Sequence, residues 1–269
     1  MILPVDFHFS QGSLRDFLVC PRRFQLRYIE RMAWPAVEAE PYLEREVHLK
    51  RGAFFHRLAE QILKGVPAEA LDPLAETSGL SEWWASFIEF RKKLPEGIWQ
   101  AETTRTTRLG SHTLLAKYDL LIHTPDGKLA IFDWKTSSIR VKSTILHEDI
   151  QTRLYLLLAA ETILGVQPEA ITMTYWFAAF PSQPECIHYS AAQHQRDRAD
   201  ILELIDQITH APPESFILTS DERACRFCIY RSYCDRGVDA GITGDMDDDM
   251  LDERDPDSFD FNQAAEVAF

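Results

Sequence analysis

Asp133 and Lys135 stand two residues apart at the end of an apolar run, Ile131-Phe132-Asp133-Trp134-Lys135-Thr136. A strand alternates its side chains, so this acid and base project to one face while Phe132 and Trp134 project to the other. Charges in such a place are costly to bury unless they pair or bind something. Asp119 is another charge inside an apolar run, Leu114–Ile122. A loop of odd length between the two runs, such as 124–128, would set Asp119 directly opposite Asp133. The two carboxylates would then lie on one face, close enough to share a divalent cation. An even loop would part them.

Other groups stand at suggestive spacings. His56 ends Gly52-Ala53-Phe54-Phe55-His56 on a helix whose other large residues are core-like, with Glu60 one turn on and on the same face. Gln151 and Tyr155 are spaced i, i+4 and project together. Each piece alone also fits an ordinary role: a surface ion pair, a structural histidine, a helix with no task. Their order along the chain is what counts.

A second constellation is made of sulfur. Cys225-x-x-Cys228, followed by Cys234, offers three thiolates in one compact loop, and a tetrahedral metal site needs a fourth ligand. Cys20, in Phe17-Leu18-Val19-Cys20-Pro21-Arg22-Arg23-Phe24, and Cys186 are the candidates. Cys186 lies in a strand-like apolar segment and reads as a plain buried thiol.

The elements that must position these groups follow from periodicity and punctuation. Ser10 and Ser13 are candidate caps for a helix running to about Ile29, and a second helix spans roughly 42–64. Residues 66–80, with Pro67, Pro73 and Gly79, read as a connection, followed by a short helix over 81–93. Strands follow at 98–108, 112–123 and 129–135, with Gly110 marking one turn and Thr124-Pro125-Asp126-Gly127 another. A helix at 148–164, a strand at 170–178, a short strand near 187–189 and a helix at 191–210 complete the pattern. This order predicts an α/β fold with a central mixed sheet flanked by helices.

The formal net charge of −14 is unevenly placed. Residues 245–269 hold ten acids against one base, Arg254, so the rest of the chain is only mildly acidic and leaves room for a basic groove. The acidic end reads as a solvated, disordered tail, with mimicry of nucleic acid as the sharper alternative. Arg15, Arg22, Arg23 and Arg27 alternate with Phe17, Phe24 and Tyr28, a mixture suited to phosphates and bases. Arg226 and its neighbours beside the cysteines would extend that edge. No stretch is long and apolar enough to span a membrane, and no signal peptide is evident. Five cysteines, an odd count with three crowded together, suit metal ligation in a reducing compartment, so a cytoplasmic location is expected.

Taken in order, His56, Asp119, Asp133-x-Lys135-Thr136 and Gln151-x-x-x-Tyr155 resemble the motif series of RecB-like nucleases, a family of the PD-(D/E)XK superfamily. The match spans about residues 10–236. It departs where the family often has glycine three residues before the second-motif aspartate; here that residue is Ala116. Cys20 before Pro-Arg, with three cysteines near the other end, resembles the iron–sulfur subgroup that includes AddB-type nuclease domains and CRISPR-associated RecB-like exonucleases.

The resemblance implies a restriction-endonuclease-like core at about 42–178, an N-/C-terminal helical cap built from 10–30 and 190–236, and a single nuclease domain over 1–236 followed by the tail 237–269. It implies Mg²⁺ or Mn²⁺ on His56, Asp119 and Asp133, helped by the Trp134 carbonyl. Lys135, Gln151 and Tyr155 would act on water and phosphate, and Glu60 would orient His56. It implies a 4Fe–4S cluster on Cys20, Cys225, Cys228 and Cys234, with zinc as the alternative, and DNA contacts from Arg22, Arg23, Arg27 and Arg226. The expected activity is trimming of single-stranded DNA ends, in repair, recombination or CRISPR-type processing. The chain carries no Gly-x-x-x-x-Gly-Lys loop, so unwinding would fall to a partner, a helicase or a CRISPR adaptation protein. The alternative is a catalytically silent, DNA-binding or scaffolding subunit beside a helicase.

Overall fold

The computed structural model of the chain describes residues 3–4, 6–33 and 40–237. The acidic segment 245–269, and with it the expectation of a disordered or DNA-mimicking tail, lies outside the described residues.

Six strands form one mixed sheet: β1 (His8–Phe9), β2 (Ile98–Leu109), β3 (His112–His123), β4 (Leu129–Lys135), β5 (Ile171–Phe177) and β6 (Glu185–His188). Antiparallel β2 covers one edge of β3 along its length; parallel β1 and antiparallel β4 share the other edge, at 113–114 and 120–123. β4 then pairs with β5 in parallel, and β5 with β6 antiparallel. The parallel step requires a crossover, supplied by α6 (Ser143–Glu148) and α7 (Ile150–Thr162). The mixed sheet flanked by helices is the architecture expected from the element order.

Helices cover both faces, and the apolar residues divide accordingly. On one side α3 (Glu40–Leu63), α4 (Ala68–Thr77) and α5 (Ser81–Arg91) bury Phe55, Leu58, Trp84 and Phe87 against Phe132, Trp134 and Trp176. On the other, α1 (Gln11–Val19), α7 and α8 (Ala191–His210) pack Leu14, Leu154, Leu158 and Ile201 against Leu121, Ile131 and Met173. Strand alternation therefore sends Phe132 and Trp134 to the α3 side and leaves Asp133 and Lys135 facing α7, as their spacing predicts.

The N-terminal helix is shorter than its sequence suggests. Ser10 caps α1 with a reciprocal pair: its hydroxyl accepts the Ser13 N–H at 3.3 Å, and the Ser13 hydroxyl accepts the Ser10 N–H at 2.9 Å. The helix stops at Cys20, which is extended at φ −158°, ψ 103°, because Pro21 drives the residue before it out of the helical region. A second short helix, α2 (Pro21–Phe24), continues as a wide turn, Gln25–Ile29. The break sets Cys20 apart from the continuous helix expected over 10–29.

Two further expectations are corrected. Residues 66–80 hold α4 rather than a bare connection: Leu71 and Ala75 are buried one turn apart against the α3 side, and this burial offsets the hydrogen bond that Pro73 removes. Cys186 is exposed, because β6 turns Ile187 into the core and Cys186 outward.

Candidate active site

Register places the acids. The loop between β3 and β4 has five residues, and its pairs, Leu120 with Phe132 through His123 with Leu129, put Asp119 opposite Asp133. The ladder stops one step short of that pair. There Asp119 Oδ2 accepts the Trp134 N–H at 2.7 Å, so a carboxylate replaces a strand carbonyl between the two strands.

The cause lies within β3, whose side-chain alternation changes phase at Asp119. Leu114, Ala116 and Tyr118 pack on the α7 side, whereas Leu120 and Ile122 pack on the α3 side. On β2 the pairs run from Ile98–His123 to Leu109–His112 with one gap, at Glu102, the residue opposite Asp119. Glu102 has φ +48°, a left-handed conformation that costs a non-glycine residue roughly 1–2 kcal/mol. Such strain persists only where the surroundings enforce it, often at functional sites. Both strands thus leave the ladder at one point, and both present a carboxylate there.

His56 meets them from α3. Its Nδ1 lies 3.2 Å from Asp119 Oδ1, with the histidine 6 % and the aspartate 1 % exposed. One donor atom each from His56, Glu102 and Asp119 falls within 4.8 Å of the others. An imidazole and two carboxylates, nearly sealed from water, form a donor set for a hard divalent cation. Glu102 also pairs with Lys117 at 2.8 Å. Sequence reasoning missed Glu102, since nothing in Thr103-Thr104-Arg105 beside it marks a site. The signal was the two-residue turn Gly110-Ser111, which sets the β2–β3 register and with it the position opposite Asp119.

Asp133, fully buried, stands beside this triad rather than in it. Gln151 Nε2 donates to its Oδ1 at 2.8 Å, and Lys135 Nζ lies 3.1 Å from its Oδ2. Lys135 Nζ also donates to Gln151 Oε1 at 2.7 Å, closing a three-member ring. The lysine side chain remains 21 % exposed, and its ammonium also lies 5.4 Å from the Tyr175 ring centroid. Gln151 enters from the first turn of α7, whose capping residue Asp149 accepts the Gln151 N–H at 2.6 Å. Beneath the ring, Tyr175 shares a 2.7 Å hydrogen bond with Thr152. Burial first, then the negative charges of Asp133 and Asp149, hold its phenol well above the ordinary range, so it stays protonated.

The remaining expected residues fall elsewhere. Tyr155 is 3 % exposed in the core, its ring 4.9 Å from that of Tyr118, whose hydroxyl donates to the Tyr155 carbonyl. Glu60 pairs with Lys64 at 2.5 Å, and Asp119 lies beside His56 Nδ1. Ala116 is 1 % exposed, its methyl taken up in the packing against α7.

The four cysteines gather at the other end of α1. Burial raises the Cys225, Cys228 and Cys234 thiols, Cys234 to about 11, and charge on neighbouring sulfurs, Cys20 among them in every case, raises them further. Such mutual influence places the four sulfurs in one neighbourhood, whereas among the described residues the ligand atoms that lie within 4.8 Å of one another are those of His56, Glu102 and Asp119. Phe17 and Phe24 pack on Phe216, the Arg22 N–H donates to the Ile217 carbonyl at 3.1 Å, and the Tyr230 hydroxyl donates to the Met32 carbonyl at 3.0 Å. The N-terminal helices are thereby bound to the cysteine loop.

The arginines expected to face DNA are largely engaged within the protein. Arg23 and Arg27 flank Asp16 at 2.6 and 3.2 Å, and Tyr28 donates to the same carboxylate at 3.2 Å. Arg22 pairs with Glu30 at 3.2 Å. Arg226, half-buried beside Cys225, pulls the exposed Asp221 carboxyl downward together with Arg223, whose hydrogen bonds act first. The basic stripe is thus in good part the counter-charge of Asp16.

The family that the chain matches agrees with this architecture. A family model described as the PD-(D/E)XK nuclease superfamily matches residues 8–235. Among solved structures, SSO0001 is 14 % identical over 84 % of this chain and 85 % of its own, with a TM-score of 0.43. A candidate exonuclease from Eubacterium rectale is 14 % identical over 75 % of this chain and 79 % of its own, with a TM-score of 0.47. No curated protein matches the chain.

Proposed function

We propose, from the premise that this chain belongs to the PD-(D/E)XK nuclease superfamily, that it is a metal-dependent deoxyribonuclease that trims single-stranded DNA ends. The observation that carries the reading is the buried convergence of His56, Glu102 and Asp119 beside the Asp133–Lys135–Gln151 ring. An imidazole with carboxylate oxygens suits Mg²⁺ or Mn²⁺, and Asp133 is the adjacent carboxylate able to complete the set. A bound ion would polarise a phosphodiester and make an attendant water more acidic.

The protein groups divide the remaining work. Asp133 and Gln151 hold the Lys135 ammonium in place, where it would donate to a phosphate oxygen or to the attacking water. Asp119 is fixed through Oδ2 by the Trp134 N–H, and its Oδ1 faces His56 Nδ1 at 3.2 Å. Tyr155 acts as a support for α7 against Tyr118 rather than as a phosphate ligand. Among the described residues, no helix is long and apolar enough to cross a membrane.

For the thiol group we propose a 4Fe–4S cluster on Cys20, Cys225, Cys228 and Cys234, with zinc as the alternative. Its role is to clamp α1 to the cysteine loop. Repair, recombination or CRISPR-type processing is the proposed setting, beside a helicase or an adaptation partner.

End-labelled single- and double-stranded DNA, linear and circular, tests the reading with Mg²⁺, Mn²⁺ or EDTA present. Metal-dependent shortening of linear single strands is expected, abolished by Asp133→Ala and Lys135→Ala in proteins that still fold. Cleavage that survives in both variants, or in EDTA, rejects it.

A further inference from the structure

An open pocket of about 320 Å³ is lined by Phe7, His112 and Phe216, an Arg153–Asp197 network joins α7 and α8, and Cys186 is exposed. None shows what would occupy or use it. A fourth feature leads further. Arg15, in the middle of α1, reaches across to α7 and grips Asp149 with one guanidinium nitrogen 2.9 and 3.0 Å from its two oxygens. The two side chains are 14 % and 13 % exposed, so the pair is shielded enough to hold its geometry.

Asp149 is no passive partner. It caps α7 by accepting the Gln151 N–H at 2.6 Å, and Gln151 is the residue that bridges Asp133 Oδ1 and Lys135 Nζ. A helix cap decides where the first turn begins, and Gln151 lies in that turn. Turning the Asp149 carboxylate would therefore move the Gln151 amide, and with it the lysine ammonium. Arg15 is the group that fixes that carboxylate from outside the helix. It belongs to the helix that ends at Cys20, so the same contact runs from the thiol group to the acid–lysine ring.

We infer that Arg15 is a positioning residue for the cleavage site, acting through Asp149 on Gln151, and that it transmits the seating of α1 on the cysteine loop to Lys135. The inference rests on the nuclease reading above.

The test uses the full chain carrying Arg15→Met, Gln151→Ala, and both together. If Arg15 acts through Gln151, Arg15→Met lowers kcat roughly tenfold with KM little changed, and the loss vanishes in the Gln151→Ala background. Arg15→Lys restores part of the rate. Hydrogen exchange supplies a readout independent of cleavage: amides 150–153 should exchange faster in Arg15→Met, while 156–162 keep wild-type protection. Additive losses in the double variant, or unchanged exchange at 150–153, overturn the inference. Wild-type protein that cuts no DNA, yet shows the exchange change in Arg15→Met, instead rejects the nuclease reading and leaves the mechanical link standing.

Discussion

Replacing Glu102 by glutamine should stabilise the metal-free protein and weaken its response to metal. Glu102 and Asp119 hold carboxylate oxygens within 4.8 Å of each other, and the acid faces of both are largely shut off from water. Two unit charges at that distance repel by about 3–4 kcal/mol at an effective dielectric of ~20. Lys117, 32 % exposed, already offsets part of this, and its lost pairing costs about 1 kcal/mol in the variant. The net gain is then about 2 kcal/mol, or a Tm rise of roughly 4–8 °C for a domain of this size. Metal reverses the ranking. At an ion concentration of about 100 times Kd, wild type gains about 2.7 kcal/mol by linkage, and the glutamine variant, short of one charged ligand, gains much less. Differential scanning fluorimetry at pH 8, in EDTA and across a Mn²⁺ series, reads both effects. A variant that melts below wild type in EDTA while keeping the full Mn²⁺ shift would refute the reasoning, because Glu102 would then be a partner of Lys117 and nothing more.

The other perturbations address the frame around the site. Cys228→Ser should abolish thiolate-to-iron absorbance in anaerobically purified protein, and wild-type protein that is colourless and holds stoichiometric zinc would assign the thiols to the alternative metal. Asp16→Asn leaves Arg23 and Arg27 without their shared carboxylate, and should cost about 2–4 kcal/mol in urea denaturation with little change in the cleavage site itself. A loss below about 0.5 kcal/mol would show instead that both arginines are solvated and available to DNA.

What could be read from the residues alone was set by regular periodicities and by turns. The five-residue loop after His123 fixed which acids face each other, and the Asp-x-Lys spacing placed Lys135 on the α7 side, because both depend only on strand geometry. The phase change at Asp119 was not legible. It arises from two strands leaving the ladder together, and no single residue announces that. Glu102 was hidden for the same reason, although counting back from the Gly110-Ser111 turn would have found it. Helix α4 was masked by Pro67, Pro73 and Gly79, since tertiary burial of Leu71 and Ala75 outweighs local propensity. The arginines of α1 and α2 looked available because their partner, Asp16, lies among them and reads as one more surface charge until the helices fold back on each other.

Anomalous diffraction from crystals grown with Mn²⁺ tests the metal site itself. One peak bonded to His56, Glu102 and Asp119, with an oxygen of Asp133 drawn onto the same ion, is the expected result. An empty triad in crystals whose Mn²⁺ sits elsewhere on the surface would contradict it.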